Sequence, residues 1–226
     1  MERKMKIIGH IETGFEEKFG IPRQSGMVSA RGKIVFKKEY SVPEAFRELE
    51  GFSHIWILWE FSKAVREKWS PTVRPPILGG NKRVGVFATR SPFRPNPIGM
   101  SCVKLEKIEH TKDEGVVLYV SGVDMLSGTP VYDIKPYIPY ADLKEDAAGG
   151  FSEEFKEKEI PVFFPESEKN RIPEEKREEI RKILALDPRP QYKNEEESYG
   201  LKYSGYEIKF KVENGILIVV KIEEYK

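Results

Sequence analysis

Between Lys68 and Lys104 the sequence carries seven cationic side chains, Lys68, Arg74, Lys82, Arg83, Arg90, Arg94 and Lys104, and not one Asp or Glu. The chain as a whole is charge-balanced, with 38 Lys and Arg against 37 Asp and Glu, so this stretch is a local cationic surface and not a sample of a basic protein. Its arginines alternate with backbone-stiffening residues, as in Arg74-Pro75-Pro76 and Arg90-Ser91-Pro92-Phe93-Arg94-Pro95-Asn96-Pro97. Proline fixes φ, so each guanidinium fork is presented from a loop that loses little further entropy on gripping a phosphate or carboxylate. Arg74, Lys82, Arg83 and Arg94 are thus candidates for holding a polyanion such as RNA. The plainer reading is a rigid surface loop whose arginines pair with glutamates elsewhere; a loop needs turns, but it does not need so many cations without one acid.

A second stretch, Ser121 to Tyr137, could supply proton chemistry. Asp124 ends a strand, Ser127-Gly128 turns, and Asp133, Lys135 and Tyr137 alternate along the next extended run, which places three polar side chains on one face. Such a face is either a catalytic site or the solvent side of an edge strand. Other chemistry is poorly represented. Three scattered histidines (His10, His54, His110) and a single cysteine, Cys102, give no metal site and no internal disulfide. No Gly-x-Ser-x-Gly, phosphate-loop or dinucleotide fingerprint occurs, and Gly79-Gly80 lacks the strand-to-helix context a dinucleotide loop requires.

The elements that must position these residues are mostly strands. Lys6 to Ile11, Lys33 to Lys37, Phe52 to Phe61, Arg83 to Ala88, Ser101 to Lys107 and Val116 to Val123 are rich in β-branched and aromatic residues bounded by turn formers. Pro43 to Leu49 reads as one short capped helix. Both faces of Phe52 to Phe61 are apolar, which predicts a central, buried strand. Many strands without alternating long helices argue against a doubly wound sheet and for a small β-barrel. From Asp146 to Ile172 the composition turns to Glu, Lys, Ser and Pro, as in a connecting segment. Beyond it, Pro173, Glu174 and Glu175 open a helix with Ile180, Ile183 and Leu184 on one face, and Asn214-Gly215 predicts a hairpin. The expected organisation is a mainly β chain: a barrel over residues 1–145, a linker over 146–172, and a smaller α+β domain over 173–226. No apolar run approaches the roughly 20 residues of a membrane span, and the start of the chain lacks the apolar core of a signal peptide, so a soluble, cytoplasmic protein is expected.

Several stretches together resemble one family, the TsaA-like (TrmO, formerly YaeB) proteins. They are Pro22-Arg23-Gln24, Phe52-Ser53-His54, Thr72-Val73-Arg74-Pro75-Pro76, Gly85 to Ser101, Gly128 to Tyr137 and Asp187-Pro188-Arg189-Pro190, of which the Arg-Pro-Asn-Pro motif is the most specific. The resemblance covers nearly the whole chain. It implies a β-barrel without a Rossmann sheet, usually dimeric, that transfers a methyl group from S-adenosylmethionine to N6 of threonylcarbamoyladenosine beside the tRNA anticodon. It also implies the cofactor contacts: Arg23 and Gln24, Ser62 and Lys63, Arg90, Met100, and the turn Asp124, Met125, Leu126 and Ser127. Ser62-Lys63 departs from the His-Gln of some members, which a backbone contact would survive and a side-chain contact would not.

Methyl transfer from a sulfonium is an in-line displacement that needs alignment and no metal. The acceptor nitrogen carries an electron-withdrawing carbamoyl group, so losing its proton helps. Asp133 or Asp124 is then the expected proton acceptor, with Lys135 or Tyr137 holding the threonyl carboxylate or the carbonyl oxygen. The competing readings are a non-catalytic barrel that grips RNA in a salt-sensitive way, and a methyltransferase of the same fold with a different acceptor.

Overall fold

A computed structural model describes residues 4–64, 68–75, 78–155, 159–189 and 197–225; Pro76 and Pro190, part of the motifs above, lie outside them. In chain order the strands are β1 (Gly9–Thr13), β2 (Arg31–Phe36), β3 (His54–Glu60), β4 (Thr72–Val73), β5 (Val84–Gly85), β6 (Ile98–Thr111), β7 (Gly115–Ser121) and β8 (Thr129–Pro136). Then come α1 (Pro139–Asp142), β9 (Val162–Phe163), α2 (Glu166–Lys169), α3 (Glu174–Ala185), β10 (Tyr199–Tyr203), β11 (Tyr206–Glu213) and β12 (Ile216–Glu224).

Six strands close into an antiparallel barrel in the order β1-β2-β7-β6-β3-β8, with β1 pairing back onto β8. Closure removes the exposed strand edges that an open sheet would present. Alternation along each strand fills the lumen: Ile11, Ile34, Ile55, Ile57, Val103 and Leu118 are all buried. The mainly β, non-Rossmann barrel expected from the sequence is therefore present. The short helix expected over Pro43 to Leu49 is instead two single 3-10 turns, Pro43–Phe46 and Leu49–Gly51, because Glu48 sits in the left-handed region at φ 68° and breaks the run. Arg83 to Ala88 likewise holds only the two-residue strand β5 before a 3-10 turn at Val86–Ala88.

The remaining strands form a second sheet in the order β10-β11-β12-β9, backed by α3. Its β11–β12 turn is made by Asn214 and Gly215, both at positive φ (51° and 74°), the backbone a two-residue primed hairpin turn demands. Residues 162–163, within the stretch read as connecting, add a parallel strand beside β12, and Phe164 and Ile172 are buried. The sheet meets the barrel at Phe15 and Tyr203, whose ring centroids lie 4.9 Å apart. The Tyr203 hydroxyl donates to Glu179 Oε2 at 3.0 Å, and the Ser204 amide donates to the Gly14 carbonyl at 2.8 Å. Burial pushes the Glu179 carboxyl above its usual range and raises the Tyr203 hydroxyl as well. Among the described residues no helix is long and apolar enough to cross a membrane.

One glycine bears directly on the barrel rim. Gly99 on β6 lies opposite Trp59 on β3, and a Cβ at Gly99 would overlap the indole ring. Gly99→Ala is expected to destabilise the fold by about 1–3 kcal/mol through this overpacking, read as a fall in thermal midpoint of several degrees. An unchanged midpoint would mean that the ring moves aside freely.

Candidate functional site

At one rim of the barrel the ends of β3 and β6, the 18–24 loop, the 89–96 loop and the turn after β7 enclose a cavity of about 710 Å³. That lies within the roughly 300–1,000 Å³ of typical small-molecule sites. Its apolar wall includes Trp59, Phe61, Phe93 and Ile98, the Trp59 and Phe61 rings lying 4.2 Å apart. Its cations are Lys18, Arg23, Lys63, Arg90 and Arg94, and its carboxylates are Glu60 and Asp124.

Asp124 is fixed by a chain of hydrogen bonds from the barrel. The Trp59 indole Nε1 donates to Ser101 Oγ at 2.9 Å, and the Ser101 hydroxyl donates to Asp124 Oδ1 at 2.6 Å. The single hydroxyl proton of Ser101 is thereby committed to Asp124, whose oxygen acts as acceptor. Burial raises the Asp124 carboxyl above its usual range, opposed by the Ser101 hydrogen bond, backbone amides including that of Ser25, and the charge of Arg90. Arg90 in turn donates to Gln24 Oε1, tying the 89–96 loop to the 18–24 loop across the cavity. Lys18 Nζ donates to the Lys63 carbonyl at 2.7 Å and closes a second link over the same mouth.

Of the cofactor contacts named from the sequence, Arg23, Gln24, Ser62, Lys63, Arg90, Met100, Asp124 and Leu126 all line this cavity. Met125 and Ser127 do not. Met125 is turned into the core, fully buried, while Ser127 Oγ accepts from the Thr13 amide at 3.2 Å. Of the RNA-binding candidates, Arg94 lines the cavity and donates to the Thr89 carbonyl at 2.9 Å. Arg74, Lys82 and Arg83 are exposed on and beside the β4–β5 ribbon, where Arg83 donates to Thr72 Oγ1 at 2.7 Å.

The polar triplet at the end of β8 and just beyond it lies elsewhere. Asp133 and Lys135 pair with each other at 2.9 Å, and Tyr137 packs against His54 and Trp56; none of the three is among the cavity-lining residues. Trp59, Phe61 and Ser101 were not singled out from the sequence. The only trace of the two aromatics was the doubly apolar patterning of Phe52 to Phe61, and Ser101 entered only as an end residue of the Gly85 to Ser101 stretch and of the strand from Ser101 to Lys107, with no role attached.

The donor set suits a zwitterionic sulfonium nucleoside. An aromatic wall can take a planar base and spread positive charge, Arg90 with Lys18 or Arg23 can take a carboxylate, and Asp124 can accept from hydroxyl or ammonium protons. Among the described residues no group of three or more His, Cys, Asp or Glu side chains stands ready for a metal ion.

Residues 10–143 match the family model for the tRNA-methyltransferase O N-terminal domain, and residues 157–225 match that for the TrmO C-terminal domain. A tRNA (adenine(37)-N6)-methyltransferase of Escherichia coli is 43% identical, the alignment covering 96% of each chain. A putative S-adenosylmethionine-dependent methyltransferase RcsF of Pseudomonas aeruginosa is 41% identical over 89% of each. The crystal structure of TrmO from Pseudomonas aeruginosa superposes with a TM-score of 0.82 at 33% identity, covering 99% of both chains.

Proposed function

The chain belongs to the tRNA-methyltransferase O family, and from that premise we propose that it methylates N6 of threonylcarbamoyladenosine at position 37 of tRNA, using S-adenosylmethionine. The observation that carries this reading is the rim cavity, in which the Asp124 carboxylate, fixed by the Ser101 hydroxyl, faces an aromatic wall and a ring of cations. S-adenosylmethionine supplies a methyl group on a positively charged sulfur, with a neutral thioether as leaving group. The residues of this chain have three tasks around it. Trp59, Phe61 and Met100 exclude water and hold the adenosine portion, and Arg90, tethered by Gln24, takes the amino-acid carboxylate. Asp124 accepts the N6 proton as the nitrogen bonds to the methyl carbon, ending as a neutral acid beside a methylated base. A carboxyl raised by burial binds that proton better than an exposed one would.

The reading also includes a homodimer in the cytoplasm, with residues 1–145 as the cofactor-binding unit, 146–172 as a linker and 173–226 as a smaller unit. A second copy is supported by large apolar side chains left exposed on the barrel unit, Met100, Tyr140 and Leu143. It is also the route by which Asp133, Lys135 and Tyr137, which lie off the cavity of their own chain, would reach a substrate.

The test uses the whole protein, radiolabelled S-adenosylmethionine, and tRNA that either bears or lacks the threonylcarbamoyl group, followed by digestion to nucleosides. Label is expected in the methylated threonylcarbamoyl nucleoside alone. Label only in plain methyladenosine from unmodified tRNA overturns the acceptor, and no label in either tRNA overturns the transfer.

A further inference from the structure

Two large aromatic side chains stand in the open within the acid-free span. Trp69 is 51% exposed and Phe87 71% exposed, and their rings are stacked, with centroids 6.2 Å apart and planes 27° apart. Neither is a loose loop residue. Trp69 lies three residues before β4 and Phe87 two residues after β5, so the β4–β5 ribbon brings them together. The 3-10 turn that presents Phe87 is pinned from below by buried Val86, whose amide donates to the Pro71 carbonyl at 2.9 Å. Thr89 Oγ1 closes the turn by donating to the Val86 carbonyl at 2.8 Å. A held but uncovered aromatic pair is unusual on a chain otherwise rich in surface charge.

The surroundings select what would cover it. Arg94 places its guanidinium 5.8 Å from the centre of the Phe87 ring and also lines the cavity, so the two features adjoin. Exposed Arg74, Lys82 and Arg83 flank the ribbon, and no acid occurs between residues 68 and 104. Aromatic faces beside unopposed cations match single-stranded nucleic acid, whose bases stack while its phosphates pair.

We propose that Trp69 and Phe87 form a stacking platform for an unpaired nucleobase adjacent to the target nucleotide, with Arg94 bridging from that base to the cavity. The platform rests on the reading of the chain as a tRNA methyltransferase, and it explains how a looped RNA is held while one nucleotide enters the cavity. Stacking carries no base-edge readout, so the platform tolerates any base identity.

The test is binding of a fluorescein-labelled anticodon stem-loop hairpin by anisotropy, alongside steady-state methylation of full tRNA, for the wild type, Phe87→Ala, Trp69→Ala and Phe87→Tyr. Both alanine variants should weaken hairpin binding and raise KM for tRNA roughly 10- to 100-fold, and Phe87→Tyr should restore both. KM for S-adenosylmethionine and the slope of binding against salt should stay at wild-type values, because no phosphate contact is removed. Thermal midpoints check that each variant is folded, which is expected of substitutions at exposed rings.

Unchanged hairpin binding by both alanine variants overturns the platform. So does a fall in oligomeric state on sedimentation of Phe87→Ala, which would assign the rings to a second copy of the chain. A wild type that binds the hairpin through these rings but methylates no tRNA leaves the platform standing and sinks the functional reading, so the two failures are distinguishable.

Discussion

Asp124→Asn is expected to lower kcat for methyl transfer by about 10²–10⁴-fold, the range typical of a lost proton acceptor, while leaving the fold as stable as before or more so near neutral pH. The amide is isosteric, and its oxygen can still accept from Ser101, so the chain from Trp59 through Ser101 survives the change. What disappears is the capacity to take a proton. The stability effect follows from the direction of the carboxyl's shift. Folding raises Asp124 above its ordinary 3.8, so its contribution to stability is fully present below that value and is lost as pH rises through the folded-state value. Asparagine does not titrate. The stability of the variant minus that of the wild type should therefore climb with pH across this acid window and then level off, as measured by denaturant unfolding at several pH values. Over the same window wild-type turnover should rise, since the carboxylate must be ionised to act, and the variant should lose that acid limb.

Asp133→Asn supplies the contrast. Asp133 is paired to Lys135 in the open, with 45% of its side chain exposed, and does not line the cavity of its own chain. Turnover within about 3-fold of wild type is expected if Asp124 is the acceptor, since proton transfer needs hydrogen-bond reach. If instead Asp133→Asn takes the large loss and Asp124→Asn does not, the base comes from β8 of a second copy and the assignment to Asp124 fails.

Why the sequence announced one carboxylate as readily as the other is a matter of what alternation encodes. Period-two patterning places Asp133, Lys135 and Tyr137 on one face of β8, but it cannot say whether that face lines a cavity or the outside of a closed barrel. The cationic span was legible because absence of acids is a linear property, needing no folding to be seen. The hairpin at Asn214-Gly215 and the helix from Glu174 were legible for a similar reason, since their signals are local. The Trp59–Ser101–Asp124 chain was not. It joins three strands or turns through register, and it exists only because β6 places Gly99 opposite Trp59, leaving room for the indole to reach Ser101. The single helix expected at Pro43 to Leu49 failed on one backbone angle at Glu48, which no side-chain pattern reveals.

Arg90→Ala is the second large effect, and it separates cofactor binding from RNA binding. Arg90 is the one cation of the acid-free span that both opposes Asp124 and is tethered to the far side of the cavity, through Gln24. Removing it withdraws the partner proposed for the amino-acid carboxylate and leaves the Gln24 carbonyl oxygen without its donor. Truncating one member of such a pair typically costs about 2–5 kcal/mol when the pair is dry. Arg90 is solvent-exposed before any ligand binds, which discounts that figure. Affinity for S-adenosylmethionine is accordingly expected to fall about 10- to 100-fold by calorimetric titration. Arg90→Lys should recover only part of this, because an ammonium keeps the charge but not the two-pronged geometry. Loss of the opposing charge should also raise the Asp124 carboxyl further, moving the acid limb of turnover to higher pH. Hairpin binding should fall only a few-fold, because the cations assigned to RNA, Arg74, Lys82, Arg83 and Arg94, all remain. Equal losses for cofactor and RNA, with no movement of the acid limb, would place Arg90 on the RNA side of the cavity and remove it from the cofactor site.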